Sequence, residues 1–318
     1  MTGYIVRRSL QAVLVVFCVT LFLFLLVSIE GPRIEAIAVL GPKATPRQIA
    51  LFNKQQGFNL PLWDQCFRYF WHLLHGNLGQ ADTYNQSVAS LIRERLPKTL
   101  VLVGFSTVVA LIVAIPLGII QVIRRNKPSD YVLTGLSFVF YAMPTFLLGS
   151  LLITYLGFDL HWFATSISQS QSAISFITSP RDFVMPEFTL AAVTIASFSR
   201  YMRSSMMETL TEDYIRTARA KGAAPRRVLY LHALRNALIP ILTLIGLSIP
   251  AIVSGAVITE SVFNYPGMGL LSVDAAYRID VPVLLGTTVV ATVAVVVGSL
   301  LADILYAIAD PRIRYARR

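Results

Sequence analysis

Long apolar runs separated by short polar gaps organise this chain. A helix crosses the hydrocarbon layer with about 20 mostly apolar residues. Five stretches meet that plainly: residues 9–29, 99–123, 131–156, 237–262 and 283–309. A sixth, residues 184–207, is weaker, because Arg200 and Arg203 follow its apolar centre. It crosses if both arginines snorkel to the far interface. The pattern predicts an all-α integral membrane protein with six transmembrane helices.

The longest polar interval lies between the first two runs. Thr45-Pro46 reads as a cap followed by a first-turn proline, and Gly57 closes that helix. Leu60-Pro61 starts a second helix that reaches about His75-Gly76. Trp63, Phe67, Tyr69, Phe70 and Trp71 pack this region into a small lid or rest it on the membrane interface. The expected layout is a first transmembrane helix over 1–30 and an extracytoplasmic loop subdomain over 31–96. A five-helix core over 97–310 follows, with a cytoplasmic loop at 208–236 and a cytoplasmic tail at 311–318.

Composition agrees with lipid as the solvent. Of 318 residues, 55% are hydrophobic and 14% charged, and the mean hydropathy is +0.64. Soluble domains run nearer about 25% charged. The net charge of +10 first suggests nucleic acid. Nucleic-acid proteins, however, gather Lys and Arg on a folded aqueous face, and here they fill the gaps between apolar runs. With the N-terminus inside, 17 of the 27 Lys and Arg fall in cytoplasmic segments. They lie in residues 7–8, 124–127, 200–235 and 312–318, whereas the two short outer loops hold only Arg181 and Arg278. This asymmetry sets orientation and places both termini in the cytoplasm. Arg7 and Arg8 precede a run longer than a signal-peptide core, so that run is read as a retained span. Cys18 and Cys66 fall on opposite sides of the barrier and are not expected to pair.

The most informative polar stretch is Glu212-Asp213-Tyr214-Ile215-Arg216-Thr217-Ala218-Arg219-Ala220-Lys221-Gly222-Ala223-Ala224-Pro225. Asp213 serves as an N-cap, and Arg219 and Lys221 suit the C-terminal end of a short helix. Gly222 stops that helix, and Pro225 starts another running to about Asn236. The four alanines leave a small surface suited to docking in a partner's groove. A basic loop that only anchors topology at an anionic leaflet fits the same residues.

Here a resemblance enters. Asp213 to Gly222 closely resembles the coupling loop of ABC-importer permeases of the dipeptide/oligopeptide class. The general importer motif has Glu-Ala-Ala where this chain has Arg216-Thr217-Ala218, a departure usual in the peptide branch. Tyr4–Arg8, Leu40–Pro46, Gly76–Gly79, Glu94–Leu100, Gly255–Gly267 and Asp303–Tyr315 also resemble that family. Gly31-Pro32, Met268 and Leu270 depart from its usual pattern. The resemblance implies the type I ABC importer permease fold and a place in the bacterial cytoplasmic (inner) membrane. It also implies a second homologous permease subunit, two ATP-binding cassette ATPase subunits and an extracytoplasmic substrate-binding protein. Coupling would rest on Asp213, Tyr214, Arg216, Thr217, Ala218, Arg219, Ala220, Lys221, Gly222, Ala223 and Pro225. ATP and Mg would belong to the partner subunits and no cofactor to this chain, which holds no Gly-x-x-x-x-Gly-Lys-Ser/Thr loop. Dipeptides or oligopeptides are the expected cargo, with nickel, glutathione or another small solute as the alternative.

Pro116, Pro144, Pro240 and Pro250 fall in or beside spans, where kinks shape a channel or simply occur. Tyr141, Met143, Pro144, Ser254, Gly255 and Glu260 are the candidates for a substrate pathway or gate. Ionisable groups at such depth are functional candidates by default. Glu260 fits equally as an interfacial carboxylate paired with an arginine such as Arg278, and Asp303 reads as structural. His72 and His75 alone do not make a metal site. No catalytic constellation is present. A self-powered secondary transporter would favour an internal repeat and midplane charges, and neither stands out.

Overall fold

The computed structural model describes residues 2–41, 43–169, 171–254 and 256–309. Gly255 and the tail arginines therefore lie outside the described residues, as do the side chains of Ser254 and Asp303. In chain order the helices begin with α1 (Thr2–Leu40), α2 (Pro46–Gln56) and α3 (Leu62–Leu74). A two-residue hairpin, β1 (Gln80–Ala81) with β2 (Gln86–Ser87), pairs antiparallel and is the one β feature among the described residues. Then come α4 (Val88–Ile123), α5 (Pro128–Ala142), α6 (Thr145–Leu152), α7 (Ala173–Thr178), α8 (Pro180–Thr209) and α9 (Asp213–Ala220). The last set is α10 (Pro225–Arg227), α11 (Leu234–Ala237), α12 (Ile239–Ser254), α13 (Val257–Val262), α14 (Met268–Arg278) and α15 (Val281–Ala309). Wide π-type turns fill Ile153–Asp159 after α6 and Val228–Ala233 between α10 and α11.

Among the described residues, four helices are long and apolar enough to cross a membrane: Arg7–Ser28, Val88–Ile123, Pro225–Gly246 and Val281–Leu301. A bent pair, Pro128–Ala142 with Thr145–Asp159, makes a fifth if it counts as one span. Its two arms meet at 100°, where one straight crossing over 131–156 was expected. Pro144 has no N–H to offer, and it pushes the residue before it out of helical geometry. Met143 accordingly sits extended, at φ −74° and ψ 123°. Pro116 and Pro250 lie inside α4 and α12 without such a break, and Pro240 is the second residue of α12, just after the turn at Leu238 that ends α11.

Other boundaries also differ from the sequence reading. The first helix does not stop near residue 30 but continues through Gly31-Pro32 to Leu40. The two helices expected in the interval after it form as read. Thr45 caps α2 with a reciprocal capping box to Gln48, and Gly57 closes it at φ 79°.

The chain folds as two compact units. The first comprises Met1–Thr99 with Val253–Val297, and the second comprises Leu100–Ile252 and the stretch from Gly298. In the first, Val88, Leu91 and Ile92 pack with Met268, Leu271, Ala275 and Val283. In the second, Ile119, Met202, Met206, Ile215, Val228, Ala233 and Ile241 form the core. Helix α8 supplies much of the second core, burying Thr189, Ser199 and Ser205 along with its methionines. Its polar residues face other helices of the unit, which explains why its hydropathy is weak. At Gly118 a Cβ would come within 2.7 Å of Met202, so α4 and α8 approach closely only because a glycine stands there.

Candidate functional site

The basic hairpin of the second unit is built from local signals. Helix α9 starts at Asp213, with Glu212 one position earlier as the cap residue, so Asp213 is the first helical residue. Its end is a Schellman arrangement. Ala223 N–H donates to the Ala218 carbonyl at 3.2 Å and Gly222 N–H to that of Arg219 at 2.9 Å. Gly222 sits at φ 77°, a backbone shape that a side chain disfavours. Pro225 opens the next helix, as its fixed φ favours. That helix does not end near Asn236; it runs on through a π-type turn toward α12.

One face of the hairpin is anchored. Ile215 is fully buried among Met202, Met206, Val228 and Ala233. Ala218 and Ala223 lean on the same core, and Asn236 Nδ2 donates to the Tyr214 hydroxyl at 2.6 Å. The other face is open. Asp213, Arg216, Thr217, Arg219, Ala220, Lys221, Gly222 and Pro225 are exposed, and a Cβ added at Gly222 would meet nothing within 4 Å. A cavity of about 450 Å³ lies against Tyr214, Thr217, Ala218, Lys221, Gly222 and Ala223, with Arg227 and His232 beside it. The Arg216–Asp213 pair, at 3.2 Å, is fully in solvent and contributes little.

The candidate pathway residues fall in both units, Tyr141, Met143 and Pro144 in the second and Glu260 in the first. Met143 and Pro144 form the bend after α5. Tyr141, just before it, is exposed and lies under the Arg200 guanidinium, 4.4 Å from ring centre to Cζ. Phe138 offers the same cation a second ring at 5.0 Å. Arg200 thus stacks on aromatics. Arg203 pairs with a buried carboxylate: its Nη2 donates to Asp130 Oδ2 at 3.0 Å and its Nε to Oδ1 at 3.3 Å. Neither arginine simply snorkels to water. Asp130, a residue that hydropathy did not single out, is 2% exposed and also accepts from the Asn126 N–H.

Glu260 does not pair with Arg278. It is completely buried in the first unit. Its Oε2 accepts from the N–H groups of Gly269 at 2.7 Å and Leu270 at 3.1 Å. Thr99 Oγ1 donates to its Oε1 at 2.8 Å and accepts from Met268 N–H at 2.8 Å. The first three N–H groups of α14 are thereby capped by two side chains from elsewhere in the chain. Arg278 instead stacks over Tyr84, at 5.8 Å. Gly267 and Gly269 are small because the carboxylate abuts them: a Cβ at either position would overlap Glu260. The Tyr265 hydroxyl closes the arrangement by donating to the Lys98 carbonyl at 2.8 Å. Thr99 was missed in the sequence. Its signal was a hydroxyl at the entry of an otherwise apolar run.

Comparison with known proteins gives these sites a context. A family model described as binding-protein-dependent transport system inner membrane component matches residues 114–315. Its N-terminal companion matches residues 1–103. The oligopeptide transport system permease protein AppB of Bacillus subtilis is 38% identical, over 99% of this chain and 100% of its own. The dipeptide transport system permease protein DppB of Lactococcus lactis is 36% identical, over 99% of this chain and 100% of its own. DppB of Escherichia coli K12 is 32% identical over the whole of both chains. The chain is a member of the binding-protein-dependent transport system inner membrane component family.

Proposed function

We propose that this chain is a transmembrane permease subunit of an ATP-driven importer that moves dipeptides or oligopeptides across the cytoplasmic membrane by alternating access. Full-length likeness to relatives named for oligopeptide and dipeptide transport supports the cargo class. In this reading α8 adds a further crossing to the four helices and the bent pair, giving six spans with both termini in the cytoplasm. The α2–α3 region then forms the extracytoplasmic subdomain. A second homologous permease subunit, two ATPase subunits that bind ATP and Mg, and an extracytoplasmic binding protein complete the assembly.

One observation carries the mechanism: the α9 hairpin is pinned on its inner face by Ile215 and left open on its outer face around Gly222. A motor subunit that grips the open face moves the pinned face, and with it α8 and α12, as a rigid body. The test is Gly222→Trp in the reconstituted importer. The chain should insert and co-purify with its partners, while ATP hydrolysis no longer drives uptake and transport falls at least tenfold. Normal uptake would refute the docking role.

A further inference from the structure

The first unit encloses a second cavity, of about 400 Å³, at the outer end of the first apolar run. Phe24, Val27, Phe58, Leu60, Leu78 and Pro282 supply its apolar wall. Glu35, from the part of α1 beyond Ser28, lines the same cavity. That carboxyl is only 5% exposed. No N–H or O–H among the described residues donates to it. Burial, with Asp82 and Asp280 nearby, pushes its pKa up to about 7. Asp280 is spoken for, since it accepts from the N–H groups of Thr83 and Val283 and so caps the start of α15. A buried carboxylate without a donor is costly, so the cavity is poised for a cation that brings its own N–H groups.

We infer that this cavity binds a primary ammonium group carried on an amphipathic molecule, with Glu35 as its counter-ion. The apolar wall suits the rest of the molecule. Arg68 and His72 line the same cavity and are exposed. That guanidinium disfavours a bare multivalent cation and suits a ligand with an anionic group beside its ammonium. Among the described residues no group of three His, Cys, Asp or Glu side chains could hold a metal. Two sources present this chemistry: the headgroup of an aminophospholipid, and the amino terminus of a short peptide. The second rests on the cargo class proposed above.

The test is calorimetric titration of the assembled importer in phosphatidylcholine nanodiscs. The probes are dihexanoyl phosphatidylethanolamine, its quaternary phosphatidylcholine counterpart, and dialanine. A primary-ammonium probe should bind at least tenfold more tightly than the quaternary lipid, whose nitrogen has no N–H to donate. Glu35→Gln should abolish that binding and Glu35→Asp should retain part of it, with both variants melting no lower than the parent. Dependence of the lipid alone on Glu35 assigns a headgroup site, and dependence of dialanine alone assigns a peptide site. Equal binding of the quaternary lipid, or primary-ammonium binding unchanged in Glu35→Gln, would overturn the inference, as would no binding by any probe. Uptake driven through the α9 hairpin is measured separately, so failure here leaves the coupling proposal standing.

Discussion

The turn around Glu260 and the hairpin around Gly222 are both short helices joined by glycine-containing connections, yet they are built to opposite ends. At Glu260 the polar groups are answered from within the chain: three N–H groups of α14, one carboxylate and one hydroxyl bond directly to each other. At Gly222 the backbone is equally well ordered, but nothing lies beyond it. A buried network makes a unit rigid, because each member left alone would cost more than the bond it made. An ordered surface with an open outer face is what the docking proposed above requires. The comparison separates what holds this protein together from what it offers to others.

The largest effect is expected on the closed side. Glu260→Ala leaves two N–H groups and the Thr99 O–H buried without an acceptor, at about 1–3 kcal/mol for each such group. A loss of about 4 kcal/mol should appear as a lowered melting temperature in detergent, with Glu260→Gln costing less than half as much. If Glu260→Ala melts normally and impairs only transport, the carboxylate belongs to the pathway and the contrast collapses. Arg203→Ala comes next. It strands Asp130, and breaking a buried pair costs about 3–5 kcal/mol when both partners are dry. With the Arg203 side chain 28% exposed, the low end is expected. Arg203→Lys should recover only part of it, because the two-point grip is lost.

A smaller and pH-dependent effect belongs to Glu35. Its carboxyl holds its proton up to about 7, against an ordinary value of 4.5, because of burial and then Asp82 and Asp280. The folded state thus binds more protons than the unfolded one, so stability falls as pH rises from 4.5 to about 7 and is level above. Glu35→Gln removes that decline. It should be neutral at pH 4 and stabilising by up to about 3 kcal/mol at pH 8, read from melting curves without added amine. The smallest effect is on the open side: Gly222→Ala should cost only about 1 kcal/mol, the strain of a left-handed residue. A melting loss much beyond that would mean the hairpin is packed rather than presented.

These regions were unequally legible in the sequence. The α2 caps and the stop at Gly222 are local matters of a residue's own backbone preference and its neighbours three or four places away. Thr45, Gly57, Gly222 and Pro225 therefore announced them. Thr99, which donates to Glu260, and Asp130, which pairs with Arg203, lie 161 and 73 positions distant, beyond any periodicity. Two arginines in a weak span looked alike in the sequence. Only tertiary packing gave one a carboxylate and the other two aromatic rings. The bend at Met143-Pro144 was half visible: proline in a span marks a place for distortion, but Pro116 and Pro250 sit in unbroken helix and Pro240 at a helix start.

The unbroken course of α1 changes what the region around α2 and α3 is able to sense. Its 39 residues make a rod of about 58 Å at 1.5 Å per residue, while the hydrocarbon layer takes only about 30 Å of it. Helices α2 and α3 pack against α1, and the ring contacts to α3 fall within the apolar run itself: Phe17 lies 5.0 Å from Phe70, and Phe24 is stacked on Tyr69 at 5.4 Å. Tilting one half of α1 therefore swings the other, in the manner of an oar in its lock. Thickness or tension in the surrounding lipid would reach α2 and α3 through this one stiff shaft.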